Sequence, residues 1–249
     1  MIDVVAETGS TNTDLMARLG MLAGPTLLLA ETQTAGRGRA GRTWYSRPGA
    51  ALTFSLAWKF ARPLQDLVGL PLATGVALAE ALAEFGVAVE LKWPNDLLKN
   101  GRKLAGILIE TASTRSIAPD GSVQDGVWTV VGIGLNLALP AELPAEDAYM
   151  AADAPELAML ERNQLMAVLL SCLAETFVQF EQDGFGVFNA RWNALHAHSG
   201  CSVAILDHGQ IAFEGIAVGV DLDGRLLLDT ATGRVAVLAG DVSLRAKGN

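Results

Sequence analysis

The sequence predicts an α+β protein: a mixed, mainly antiparallel sheet with helices packed on one face, then a small β-barrel at the C-terminal end. Three observations predict it. Short apolar runs of strand type are interspersed with segments of helical spacing through the first part of the chain. Two of those segments, Leu67–Phe85 and Arg162–Gln182, are long: the first is apolar nearly throughout and the second is amphipathic. From Ser202 onward, five short strands follow one another, separated only by turns.

Taken in order, Met1–Ala6 reads as a strand, and Asp14–Met21 as a helix with cap-forming side chains at Ser10, Thr11 and Asn12. Thr26–Ala30 is a brief apolar strand. Thr32–Pro48 is rich in Gly and Arg and lacks periodicity, which makes it a functional loop or a mobile one. Ala51–Lys59 is a strand, Leu67–Phe85 a buried helix and Val87–Lys92 a strand. Asn100-Gly101 is a hairpin turn between Leu97–Leu98 and Lys103–Glu110. Val127–Leu137 is a strand, and the polar Ser113–Gly126 before it reads as an exposed hairpin loop. After Arg162–Gln182, a second helix is expected over Phe185–His196. The closing strands are Ser202–Leu206, Gln210–Val220, Arg225–Asp229, Arg234–Leu238 and Asp241–Arg245. Asp207-His208-Gly209 and Asp221–Gly224 supply turn chemistry between them. The domain boundary therefore falls near His198–Gly200, giving domains of 1–198 and 199–249.

A chain of 249 residues, 51% apolar, has enough material for one large domain with a small one beside it. Its 27 acidic residues against 18 basic ones leave a net charge of −9, which argues against non-specific nucleic-acid binding. The two cysteines, Cys172 and Cys201, have neither metal-ligand spacing nor the number for a disulfide framework, so reduced thiols and a cytoplasmic location are expected. His196, His198 and His208 do not have zinc-site spacing, and no metal site on the protein is expected. The N-terminus lacks a basic start followed by an apolar core, so no signal peptide is expected. Pro71, Glu80 and Glu84 make Leu67–Phe85 too polar for a membrane span, and no membrane partner is expected.

Against the acidic background, Gly36-Arg37-Gly38-Arg39-Ala40-Gly41-Arg42 is a local exception. Glycine lets the backbone approach a ligand closely, and arginine presents a donor fork that fits carboxylate or phosphate. The segment suits an anion. Ser10-Thr11-Asn12 serves either as a helix cap or as a polar ligand site. Lys92-Trp93-Pro94-Asn95-Asp96 ends a strand with a cation, an aromatic ring and two polar groups, either as an Asx turn or as a site. Lys103 opens a strand whose fourth residue is Gly106, and an interior glycine weakens a strand unless a bulge or ligand requires it. Gly132-Ile133-Gly134-Leu135-Asn136 places glycines on alternate positions of one strand face, which suits a flat ligand or tight packing. Neither a dinucleotide fingerprint nor a G-x-x-x-x-G-K-[ST] loop is present. Trp44 suits either base stacking or the core.

In this order, Ser10–Asn12, Glu31-Thr32-Gln33 with Gly36–Arg42 and Trp44, Lys92–Asp96, Lys103–Glu110 and Gly132–Asn136 resemble the biotin protein ligases, and the resemblance runs from about residue 3 to the end. It implies a class II synthetase-like catalytic domain followed by an SH3-like barrel. Some family members carry an N-terminal helix-turn-helix and act as repressors. This chain starts at the catalytic domain, so an enzyme without a DNA-binding role is expected. The family activates biotin with ATP to biotinyl-5′-AMP and pyrophosphate, then transfers biotin to a lysine of a biotin carboxyl carrier domain and releases AMP. ATP with Mg²⁺ held by its phosphates is implied as co-substrate and ion, and no tightly bound organic cofactor.

The resemblance further implies roles. Lys103, Arg37 and Arg39 are the expected catalytic cations, since both reactants of the first step are anions. The expected biotin site comprises Ser10, Thr11, Asn12, Gln33, Gly36, Arg37, Gly38, Arg39, Lys103, Gly106, Gly132 and Gly134. The expected nucleotide site comprises Arg39, Arg42, Trp44, Asp96, Lys103 and Asn136, with Trp44 flanking adenine and Asn136 reaching the phosphates or Mg²⁺. Asp96 fits either the nucleotide or the incoming lysine. A lipoate or octanoyl ligase shares the fold class but lacks the Gly/Arg repeat and the Lys-Trp-Pro-Asn-Asp run. A catalytically inactive module holding biotinyl-AMP is the alternative from another class, as is a sugar- or nucleotide-binding structural protein. Monomer and homodimer are both compatible with the sequence.

Overall fold

A computed structural model describes residues 1–117, 123–139, 148, 150–240 and 242–246. Two compact units make up the chain: residues 1–67 with 102–168, and residues 68–101 with 169–249.

In the first unit, β1 (Ile2–Thr8) leads through helix α1 (Thr11–Arg18) into β2 (Thr26–Gln33), which returns parallel beside β1. β3 (Ala51–Phe60), β6 (Arg102–Ile117) and β7 (Val123–Asn136) complete five strands in the order β1-β2-β3-β7-β6, antiparallel after the first pair. A parallel return requires a crossover, and α1 is that crossover. Its Leu15, and Leu19 one turn on, form an apolar stripe at i, i+4. The stripe packs on Leu28, Ala57, Trp128 and Val130 of the sheet, with Leu15 completely buried. Asp14 in the first turn and Arg18 in the last complement the helix dipole. α3 (Pro155–Ala158) and the start of α4 (Arg162–Asp183) close this unit.

Helix α4 continues into the second unit, which also holds α2 (Leu70–Glu84), the hairpin of β4 (Glu90–Lys92) and β5 (Asp96–Lys99), and α5 (Asn189–Ala194). α2 is apolar on nearly every side and correspondingly buried from Leu70 to Leu82. Contrary to the expectation that Leu67–Phe85 is too polar, Leu64–Glu84 and Arg162–Asp183 have the length and hydropathy of a membrane span. Leu64–Glu84 is mostly buried, as a core helix is. The C-terminal strands β8 (Ser202–Asp207), β9 (Gln210–Val220), β10 (Leu226–Thr230), β11 (Gly233–Val237) and β12 (Val242–Ala246) form an antiparallel sheet in the order β11-β10-β9-β8-β12. Asn193 anchors β9: its Oδ1 accepts from Val220 N at 2.8 Å.

The expected α+β fold with a mixed sheet and a β-rich C-terminal part is observed. Asn100 and Gly101 both have positive φ, as their turn requires. Three local expectations are corrected. The polar stretch Ser113–Gly126 is mostly strand: β6 and β7 stay in register from Ser113↔Val127 to Ile117↔Val123, and 118–122 lie outside the described residues. Backbone pairing carries these strands past the point where apolar alternation ends. The helix expected over Phe185–His196 breaks into a 3₁₀ turn at Phe185–Phe188 and the short α5. The strand expected from Val87 begins at Glu90.

His196 is buried with its ring stacked on Trp192, the centroids 4.8 Å apart. Burial, helped by the neighbouring His198, pushes its pKa down to about 4. The folded state therefore keeps His196 neutral while the unfolded chain takes up a proton below about pH 6.5. Stability is lost as pH falls from there towards about 4. Urea unfolding at pH 7 and pH 5 should differ by roughly 2 kcal/mol from this residue, and His196→Leu should flatten the dependence by that amount.

Candidate active site

The two parallel strands end together, with Thr8 opposite Gln33, and the chain continues their pairing for two residues. Thr34 N donates to Thr8 O at 2.9 Å and Ala35 N to Gly9 O at 2.8 Å. The start of α1 and the Gly/Arg loop therefore leave the sheet side by side, at the strand ends where open α/β layers bind ligands.

Ser10 is the extended N-cap residue of α1, and its side chain makes no cap bond. Thr11 and Asn12 lie inside the helix, and all three residues are buried. Thr11 N donates to Gln33 Oε1 at 2.8 Å, so a side chain from β2 satisfies a free amide of the first turn. The hydroxyl of Thr11 meets Ser55 Oγ at 2.6 Å, and Ser55 donates to Asn12 Oδ1 at 2.5 Å. Asn12 Nδ2 donates to Glu110 Oε2 at 2.9 Å and to Leu108 O at 3.2 Å. The three side chains at 10–12 therefore do not act as caps. Thr11 and Asn12 belong to a buried polar cluster with Gln33, Ser55 and Glu110.

The Gly/Arg loop closes on itself as a small hairpin. Trp44 N donates to Gly36 O at 2.9 Å and Gly38 N to Arg42 O at 2.7 Å, around a 3₁₀ turn at Arg39–Gly41. A Cβ on Gly36 would lie 2.4 Å from Trp44 O, so the base of this hairpin admits only glycine. Arg37 is held to Glu110 by an ion pair of 2.5 Å. Arg39 is partly buried, and Arg42 is exposed.

Register explains the three site glycines. Gly132 pairs with Ser55 and Leu108, and Gly134 pairs with Thr53 and Gly106, so all three lie on the face that carries α1. A Cβ on Gly132 would lie 2.1 Å from Asn12 Oδ1. One on Gly134 would lie 2.1 Å from Trp44 Cε2, and one on Gly106 would lie 3.0 Å from Lys103 Nζ. The space over this bare face holds Asn12, Trp44 and Lys103. Lys103 Nζ stands 5.8 Å from the Trp44 ring centroid, within cation–π reach. Trp44 Nε1 is buried and has no hydrogen-bond partner among the described residues.

Lys103 is fixed through its backbone: its carbonyl accepts from Ala152 N at 2.8 Å and from Asn136 Nδ2 at 3.5 Å. Asn136 Nδ2 also donates to Ala152 O at 3.0 Å, which commits that nitrogen and leaves Oδ1 for other work. Asp96 opens β5 in the second unit. Trp93, from the same motif, is a core residue: it is 1% exposed and donates Nε1–H to Gly224 O at 3.2 Å. Sequence reading missed Ser55 and Glu110. Glu110 lay within the quoted Lys103–Glu110 run, but its partners become visible only with the strand register.

Two family descriptions match this architecture: the biotin/lipoate A/B protein ligase family over residues 4–124, and the biotin protein ligase C-terminal domain over residues 198–245. The bifunctional ligase/repressor BirA of Escherichia coli is 34% identical over 248 residues, covering 98% of this chain and 74% of that protein. The biotin–[acetyl-CoA-carboxylase] ligase of Mycobacterium tuberculosis is 36% identical, with 97% and 88% covered. The structure of an Aquifex aeolicus biotin protein ligase in complex with biotin and ATP superposes with a TM-score of 0.80 at 29% identity, covering 99% of both chains. The chain belongs to the biotin protein ligase family.

Gly134→Ala should displace the Trp44 ring and cost about 1–3 kcal/mol as an overpacking change. The accompanying change in tryptophan emission should disappear in a Trp44→Phe background, which assigns it to this ring.

Proposed function

We propose that the chain is a biotin–protein ligase that activates biotin with ATP and transfers it to a lysine of a biotin carboxyl carrier domain. The observation that carries the reading is the convergence of Lys103, Trp44 and the Thr11–Asn12–Ser55 cluster over the bare face at Gly106, Gly132 and Gly134.

In the first step a biotin carboxylate oxygen attacks the α-phosphorus of ATP. A C–O–P link forms, the bond to the β-phosphate oxygen breaks, and pyrophosphate leaves. Two anions must meet, so the barrier is largely electrostatic. Lys103, held by its backbone beside Gly106, supports charge neutralisation where the two groups join. Arg37 and Arg39 add donor forks from the hairpin. Trp44 offers a flat face for adenine and a buried N–H. Asn136 suits the ion that ATP carries: its free Oδ1 is a hard oxygen, and Mg²⁺ takes oxygen ligands and shields phosphate charge.

In the second step the carrier lysine's neutral amine attacks the acyl carbon. An amide forms, the acyl–phosphate bond breaks, AMP departs and the amine loses a proton. The name of the Mycobacterium tuberculosis relative supports a carboxylase as the acceptor. Asp96 belongs to this proposal as a nucleotide or acceptor-lysine contact. So does the division into a catalytic part over 1–198 and a C-terminal domain over 199–249, supported by the domain match from residue 198. Free Cys172 and Cys201 support a reducing, cytoplasmic setting.

The polar cluster favours biotin over lipoate. A ureido ring carries two N–H donors and a carbonyl acceptor that can meet Thr11, Asn12, Gln33 and Ser55. A dithiolane ring would leave such groups unpaired, and this kind of mismatch is strongly discriminated against.

Biotin-dependent ATP–pyrophosphate exchange tests the reading. Wild type should exchange with biotin and not with lipoate, and Lys103→Ala should lose about a hundredfold or more. Exchange with lipoate instead would make the chain a lipoate ligase. Exchange with neither acid would favour a binding module.

A further inference from the structure

Glu110 has no part in the reaction as described, yet two candidate site residues end on one of its oxygens. Oε2 accepts from Asn12 Nδ2 at 2.9 Å and pairs with Arg37 Nη2 at 2.5 Å. It stands opposite Val130, on the face that carries α1, two residues beyond Leu108, which faces Gly132.

We propose that Glu110 is a positioning residue: acting through Asn12, it sets the direction of the hydrogen-bond chain that recognises biotin. The inference rests on the biotin reading above. The argument is one of counting protons. A carboxylate only accepts. Both partners of Asn12 Nδ2, Glu110 Oε2 and Leu108 O, are acceptors, so the amide cannot turn over. Asn12 Oδ1 must therefore face Ser55, and Ser55 must spend its single proton there, at 2.5 Å. Ser55 is then obliged to accept from the Thr11 hydroxyl at 2.6 Å, a shorter contact than the 3.1 Å from that hydroxyl to Gln33 Oε1. Every donor in the chain points towards Glu110. Leu108 O, at the longer 3.2 Å, also takes only a donor, so a neutral amide at 110 weakens the fixed direction of the chain rather than abolishing it.

Calorimetric titration of the full chain with biotin alone tests this. Glu110→Gln should raise the biotin Kd about tenfold, as losing a hydrogen bond to a charged group does. Asn12→Ala should also weaken binding, and the double variant should bind no worse than Asn12→Ala alone, because Glu110 acts through Asn12. Thermal unfolding of the same variants separates this from a merely structural role, which would lower Tm without changing the biotin Kd. Glu110→Asp keeps the charge but shortens the arm by one methylene. It should show a smaller loss in the same direction, and it serves if the glutamine variant does not fold. Unchanged biotin affinity in Glu110→Gln, or additive effects in the double variant, overturn the inference alone. A wild type that binds no biotin overturns the biotin reading and this inference with it.

Discussion

The site depends on a sheet face kept free of side chains at Gly132 and Gly134. Both positions lie near the C-terminal end of β7 but are still paired on both sides, which holds the backbone in place. A methyl at either position would lie 2.1 Å from Asn12 Oδ1 or Trp44 Cε2, far inside van der Waals contact. Glycine costs a strand roughly 0.5–1 kcal/mol per position relative to alanine. The apolar packing of Leu15 and Leu19 on Leu28, Ala57 and Val130 lies beside the gap and offsets that cost. The same contact fixes where α1 begins, and so where Thr11 and Asn12 stand. Helix position, glycine spacing and polar cluster form one geometric problem with one solution.

Much of this was legible in the sequence. The helices over Leu67–Phe85 and Arg162–Gln182, the turn at Asn100-Gly101 and the C-terminal run of strands follow from periodicity and turn chemistry, which are local properties. The candidate residues Thr11, Asn12, Gln33, Lys103 and Trp44 were reached through the resemblance to the biotin protein ligases; read singly, Thr11 and Asn12 also fitted a helix cap, Lys103 an edge charge and Trp44 the core. Ser55 and Glu110 were missed. Each is an ordinary residue in an ordinary strand, and its importance comes from partners in α1 and the Gly/Arg loop, 40 or more residues away. The polar end of the β6–β7 hairpin misled for the opposite reason: composition reports burial, and these strands continue on backbone pairing. The run Lys92–Asp96 was ambiguous between an Asx turn and a site, and sequence alone did not say where the Trp93 ring goes. Its hydrogen bond to Gly224, more than a hundred residues away, decides for the core.

Charge is handled locally. In a chain of net charge −9, three arginines within seven residues would stand out as a strongly cationic patch. Pairing Arg37 with Glu110 neutralises part of that patch and aims the guanidinium at one place. The pair is half-exposed and contributes little to stability, as surface ion pairs generally do. Its value lies in orientation.

Two backbone bonds, Gly36 to Trp44 and Gly38 to Arg42, make residues 36–44 a closed lever rather than a slack tether. A lever carries its two ends together. Arg37, paired with Glu110, and Trp44, over the bare sheet, are linked across the hairpin base. Insertions at the Arg39–Gly41 tip would lengthen the lever without unlinking it. A side chain at Gly36 would pry the base apart and let the charge and the ring move independently.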